Sequence, residues 1–181
     1  MSRIAGKLAF LMFALSACAG SGPPKLTPIG DVIPAGVSLE GRWQLQSGFE
    51  DAERRIRKAE YRSSGGRRGA EGPSVFVFLR TGSRLKVSQT AYALFVSFDR
   101  SVVEEYRFRE HRLVNVGPIE ADRASGWVDG RYVIQTLDSD GARLEESYEL
   151  QAGGDELVRR VSVTYGNEGV LSLEQTYDRR Q

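Results

Sequence analysis

The chain of 181 residues contains one cysteine, Cys18, and one histidine, His111. A single cysteine can form no internal disulfide, and no C-x-x-C metal or redox motif exists. A lone histidine excludes histidine-rich zinc sites. Charge of one sign is also lacking: 25 Lys and Arg face 24 Asp and Glu, for a formal net charge of +1. No global field therefore argues for nucleic acid or anionic lipid as a partner. Long apolar runs are missing too. The longest, Leu8 to Leu15, falls well short of the roughly 20 residues that a membrane-spanning helix needs.

What is present at the N-terminus is an export pattern. Arg3 and Lys7 form a positive region, Leu8 to Leu15 an apolar core, and Leu15-Ser16-Ala17-Cys18 closes it. This tetrapeptide resembles the bacterial lipobox. The resemblance implies alkylation of the Cys18 thiol by a diacylglyceryl group, cleavage before Cys18, and attachment to a membrane through two or three acyl chains. One chain anchors only marginally, whereas several make release negligible. Ala19, where an aspartate would retain such a protein at the inner membrane, implies the outer membrane facing the periplasm. Residues 1–17 are then a signal peptide, which leaves 181 − 17 = 164 residues. With Cys18 spent on lipid, cysteine–histidine catalysis is excluded as well.

The Gly- and Pro-containing stretch from Ala19 through Pro34 predicts a mobile tether, so residues 18–38 read as lipidated cysteine plus linker and 39–181 as one domain. Ser47-Gly48-Phe49-Glu50 matches a capping box, and Phe49, Ala52, Ile56 and Ala59 recur at helical spacing. Glu50–Arg54, Asp51–Arg55 and Glu53–Arg57 add acid-before-base pairs at i,i+4. A charged helix from about Phe49 to Arg62 follows, ended by Ser63-Ser64-Gly65-Gly66. The interleaved charges of this region, Arg67-Arg68 included, are mostly self-compensating and fit a solvated face.

From Val75 onward the pattern becomes β-branched and aromatic, split by turn residues. Strands are expected at Val75–Leu79, Arg84–Gln89, Tyr92–Phe98, Val102–Phe108, Arg131–Leu137, Ala142–Leu150, Leu157–Tyr165 and Leu171–Asp178. Leu144, Glu146, Tyr148 and Leu150 alternate with more polar neighbours and form the inward set. Register arguments pair Leu150 with Leu157, Tyr148 with Arg159 and Leu144 with Val163. They further pair Val163 with Leu173, Arg159 with Tyr177, Leu137 with Leu144, and Gln135 with Glu146. The expected fold is mainly β: an antiparallel up-and-down meander closing into a barrel, partly open or complete, with one charged helix after the first strand.

Gln135, Glu146, Arg159 and Gln175 would then share an otherwise apolar inner face. A buried charge needs a partner. Two readings fit: a structural ion pair near the barrel rim, or a polar anchor inside a ligand cavity, since pockets are mostly apolar with a few convergent polar groups.

Leu39-Glu40-Gly41-Arg42-Trp43-Gln44-Leu45 places glycine-x-tryptophan at the start of the first strand. The motif resembles the opening of lipocalin-like (calycin) barrels, and the stretch Gly126 to Leu150 resembles lipocalin-like domains of periplasmic proteins. The resemblance implies that Trp43 closes one barrel end with a late basic residue, Arg179 or Arg180, stacked upon it. An ordinary core role for Trp43 stays open beside it. Candidate ligand-binding residues are thus Trp43, Gln135, Glu146, Tyr148, Arg159, Gln175 and Tyr177, with Cys18 the lipidation site.

Catalysis has little support. His111 sits in the charged stretch Arg109-Glu110-His111-Arg112, where an exposed turn is expected, and no carboxylate pair stands out. No catalytic residue, metal or cofactor is assigned. Two functions remain: a lipid-anchored barrel that binds a small apolar or amphipathic molecule, or a non-enzymatic lipoprotein that docks on an envelope protein complex.

Overall fold

A computed structural model describes residues 25–30, 32–63 and 74–180. Cys18, the export segment and the Arg67-Arg68 pair lie outside them. Ten antiparallel strands form one sheet: β1 (Gly41–Leu45), β2 (Arg84–Gln89), β3 (Ala93–Phe98), β4 (Val102–Arg107), β5 (Glu110–Val116), β6 (Ile119–Val128), β7 (Arg131–Asp138), β8 (Ala142–Gln151), β9 (Glu156–Tyr165) and β10 (Glu168–Arg180). Their order is β4-β3-β2-β1-β10-β9-β8-β7-β6-β5. Pairing of β1 with β10 curls the sheet into a nearly closed barrel, with β4 and β5 at its two ends. Side chains bridge that seam. Ser125 Oγ donates to the Arg107 carbonyl at 2.7 Å, Tyr132 Oη to the Tyr106 carbonyl at 3.0 Å and Arg112 to the Glu105 carbonyl at 3.2 Å.

The helix α1 spans Phe49–Ser63 and follows β1, as its apolar spacing predicts. Its first turn is closed by the Gly48 carbonyl, which accepts from the Ala52 amide at 2.9 Å, so Gly48 occupies the cap position expected of Ser47. Of the expected charge pairs Glu53–Arg57 forms, at 3.5 Å, while Arg54 turns to Asp51 and Arg55 to the Ser172 carbonyl. Ala52 and Ala59 are buried against the barrel end that we call the cap end.

Val75–Leu79, expected as a strand, is a 3-10 turn over Ser74–Phe78. Val75, Phe76 and Phe78 are all buried, so the run lacks the alternation of a half-buried strand, and apolar composition alone cannot separate the two. Asp138 fixes the turn by accepting from the Val75 amide at 2.9 Å and the Ser74 hydroxyl at 3.1 Å. Conversely, β5 and β6 were not expected. β5 is charged, and β6 is rich in small residues of low strand propensity; both are held by ladder pairing. His111 is exposed, as expected, and 3.7 Å from Asp122, but it lies on a strand and not in a turn.

The β8–β9 register is as expected, with Leu144 opposite Val163 and Tyr148 opposite Arg159. The β7–β8 register differs by one residue: Gln135 faces Glu145 and Thr136 faces Leu144. Asp138 lengthens the turn, accepting from the amides of Asp140 at 3.1 Å and Ala142 at 2.8 Å. A one-residue shift exchanges the faces, so Gln135 points outward. Between β9 and β10 a tight turn at Gly166-Asn167 sets Val163 opposite Leu171 and Arg159 opposite Gln175, two residues from expectation. A bulge between Gly169 and Leu171 then restores the inward set.

Leu137 and Val133 are apolar on the outer side because something covers them. Leu26, 5% exposed, and Ile29, 8% exposed, pack there with Ala124. Gly30 accepts from the Trp127 amide at 2.8 Å. Within the segment read as a free tether, residues 26–30 are thus a docked strap. Gly126 is required for it, since a β-carbon there would drive into the Gly30 carbonyl oxygen. Gly126→Val is expected to release the strap at a cost of about 1–3 kcal/mol. Faster hydrogen exchange at the Trp127 amide reports the release, and unchanged exchange would refute it.

Candidate ligand-binding site

The barrel interior divides into two apolar clusters. At the cap end, Leu144, Val161, Val163, Leu171 and Leu173 meet Val75, Phe76 and Phe78. At the opposite end, Trp43, Phe98, Tyr106, Tyr132, Tyr148 and Tyr177 fill the space. Trp43 Nε1 donates to the Leu39 carbonyl at 3.1 Å, and the Arg179 guanidinium carbon sits 4.2 Å from an indole ring centroid. Arg179 itself donates to the carbonyls of Glu40 at 2.7 Å and Gly154 at 2.8 Å. Trp43 thereby closes this end under a fixed cation.

Between the clusters lies a polar group. Arg159 on β9 is 0% exposed, Glu146 on β8 1% and Gln175 on β10 6%. The Arg159 guanidinium donates to the Glu146 carboxylate, to the Gln175 Oε1 at 3.1 Å and to the Arg80 main-chain carbonyl at 2.7 Å. It also lies 5.3 Å from the Phe98 ring centroid and 5.8 Å from that of Tyr148. Tyr177 donates to the Gly82 carbonyl at 3.1 Å. Of the sequence candidates, Glu146, Tyr148, Arg159, Gln175 and Tyr177 come together, Trp43 sits at the far end, and Gln135 is outside, donating to Glu145 at 2.9 Å.

Sequence reasoning missed the second half of the network. Arg123 on β6 is buried between the rings of Phe78, at 5.6 Å, and Tyr106, at 5.4 Å. It donates to Thr136 Oγ1 at 3.2 Å and pairs with Glu104 at 3.4 Å, and Glu104 also pairs with Arg80 at 2.8 Å. Glu104, on the inward parity of the expected strand Val102 to Phe108, is the available signal. Arg80 links the halves: its carbonyl accepts from Arg159 while its side chain holds Glu104. The fully buried charges balance, Arg123 and Arg159 against Glu146 and Asp138, while the part-exposed Arg80 and Glu104 pair with each other. A cleft of about 260 Å³ at the β4/β5 seam, lined by Phe78, Arg80, Glu104, Val114 and Arg123 among others, reaches this network.

Electrostatics keep these groups in fixed states. Burial works against the charged form of Arg159, yet Tyr148 and Glu146 outweigh it and its pKa is raised. Burial pushes the Tyr148 hydroxyl up, opposed by Arg159 and reinforced by Glu146. Tyr106 and Tyr177 are also raised, chiefly by burial. The chemistry on offer is hydrogen bonding by ionised guanidinium and neutral phenols. Five interior groups among the described residues retain a polar atom with no protein partner: Tyr106 Oη, Trp127 Nε1, Tyr148 Oη, Arg159 Nε and Gln175 Nε2. Each can donate, and a buried donor without an acceptor is costly. Among the described residues, no three of His, Cys, Asp and Glu gather to hold a metal ion, and no helix is long and apolar enough to cross a membrane.

No family model and no curated protein sequence matches the chain. Solved structures do. The apo form of Caenorhabditis elegans lipid binding protein 8 aligns with a TM-score of 0.50 at 12% identity, over 81% of this chain and 100% of that one. A secretory abundant heat soluble protein from Ramazzottius varieornatus aligns with a TM-score of 0.51 at 13% identity, over 80% and 97%. The fold they share with this chain is a nearly closed antiparallel β-barrel. At these identities the likeness is one of architecture, an antiparallel barrel with a helix following its first strand.

Arg159→Met leaves Glu146 buried without its cation and is expected to cost about 3–5 kcal/mol. Adding Glu146→Leu should recover most of that loss in urea unfolding. A double variant as unstable as the single one would show that the ion pair does not control stability here.

Proposed function

We propose that the barrel binds a small apolar or amphipathic molecule. Its apolar part takes the cap-end space now filled by the 3-10 turn, and an acceptor-bearing polar end meets Arg159, Gln175 and Tyr148. The observation that carries this reading is the set of buried donors without acceptors beside an apolar wall. Donors without acceptors, a guanidinium N–H among them, favour a strongly accepting head. The name of one structural neighbour, a lipid binding protein, supports the same direction. The role is non-enzymatic, since the interior groups hold and orient and none is paired as nucleophile and base.

The expected result is saturable binding of a fluorescent fatty-acid analogue by the wild-type protein. The Arg159→Met/Glu146→Leu protein, with its fold retained, should bind at least about tenfold more weakly. Equal binding by the two would overturn the assignment of the polar end.

The lipobox resemblance supports a second part of the proposal, that Cys18 carries acyl chains which hold the protein in a bacterial envelope, at the outer membrane facing the periplasm. Cys18→Ala protein should appear in the soluble periplasmic fraction or remain unprocessed. Membrane fractionation after correct processing would sink the anchor reading. The alternative of a lipoprotein docking on an envelope protein complex draws on the aromatic filling around Tyr106, Tyr132 and Tyr177. Native mass spectrometry of protein from its own host separates the two, by a co-purifying small molecule or a co-purifying chain.

A further inference from the structure

The outer surface of the sheet is not electrostatically uniform. On β8–β10 its charges alternate in sign: Arg160 is held between Glu149 at 2.6 Å and Glu174 at 2.9 Å. Across β10, β1 and β2 the pattern is different. Arg180 stands directly opposite Arg42, and Arg42 directly opposite Lys86, so three cations lie side by side on adjacent strands. Strand spacing of about 4.8 Å separates neighbours in that row. Like charges in direct opposition destabilise a sheet.

Arg84 and Arg100 extend the row toward the cap end, and together the five cations line a groove of about 440 Å³ with Gln44 and Ser97. No carboxylate lines it. Of the nearby acids, Asp99 offsets part of the Arg84 charge. Asp99 accepts from Ser83 and the Arg84 amide and lies 3.9 Å from the Arg84 side chain; Asp178 accepts from Gln46 at 2.9 Å. Arg100 also sits at φ +64° beside Asp99 at φ +48°, in a turn whose second position normally favours glycine. An arginine in that backbone conformation carries strain.

We infer that this groove is a binding site for phosphate-bearing ligands, separate from the barrel interior. The guanidiniums of Arg42, Arg84, Arg100 and Arg180 each offer a planar fork that fits phosphate oxygens, and Lys86 adds a point charge. A phosphate group presents more acceptor oxygens than a carboxylate and can accept from two guanidiniums of the row at once. Binding would also relieve the repulsion that the empty row imposes on the β10–β1–β2 ladder. The chemistry is shared by a phospholipid headgroup in a bilayer and by a soluble phosphate ester, and it depends on neither the interior ligand nor acylation.

The test uses the full chain carrying Cys18→Ala, so that no acyl chain contributes to binding. Inorganic pyrophosphate is titrated by calorimetry at low salt. Flotation with phosphatidylcholine vesicles, with and without phosphatidylglycerol, is measured in parallel. Binding of pyrophosphate alone assigns a soluble phosphate ester, and selective binding of phosphatidylglycerol vesicles alone assigns a bilayer headgroup. Both together assign the phosphate group itself.

In each case Arg42→Gln/Lys86→Gln should weaken binding at least about tenfold without lowering Tm. Arg100→Gly should weaken it while raising Tm, because it removes a cation and the turn strain together. Failure to bind either probe at low salt, or binding that the double variant leaves intact, overturns the proposal.

Discussion

The fold is organised around one constraint: a guanidinium sealed inside a barrel must have its charge and its donors answered on all sides. Arg159 meets Glu146 from β8, Gln175 from β10 and the Arg80 carbonyl from the link that enters β2. Those partners come from three separate stretches of chain, and the contacts form only when β8, β9 and β10 are in register and the sheet has curled far enough to bring Arg80 across. Removing one partner leaves a buried charge, so the network penalises any alternative closure more than apolar packing alone would. Arg123, Glu104 and Arg80 repeat the device nearer the seam. Packing of Val and Leu fills the barrel, and the ion network makes the filling specific.

Where local chemistry decides structure, the sequence could be read directly. The stripe Phe49, Ala52, Ile56 and Ala59 yields the helix to within a residue of its observed end, and the alternation in β8 identifies Glu146, Tyr148 and their inward neighbours. Pairing β8 with β9 follows, and with it the meeting of Glu146 and Arg159. The stacking of a late arginine on Trp43 is likewise met by Arg179.

What escaped was decided at a distance. Gln135 reads as inward because an Asp140-Gly141 turn would set Leu137 beside Leu144, yet Leu137 finds its apolar neighbours in Leu26 and Ile29, more than a hundred residues away. Val75 to Phe78 read as a strand because burial on every side looks the same in a strand and in a plug. Arg123 belonged to a strand whose small and charged residues carry little β signal of their own. In each case the deciding partner was a remote surface, and hydropathy along the chain contains no record of it.

The seam between β4 and β5 gives the barrel a particular weakness. Around the rest of the wall, neighbouring strands are stitched by main-chain ladders that salt scarcely affects. At the seam the bridges are a few side-chain hydrogen bonds and the Glu104–Arg123 pair. Exposed ion pairs loosen as ionic strength rises, whereas buried ones are screened much less. The wall is therefore a spring with one side-chain clasp, and because the Glu104–Arg123 pair is largely buried, that clasp is shielded from the surrounding salt.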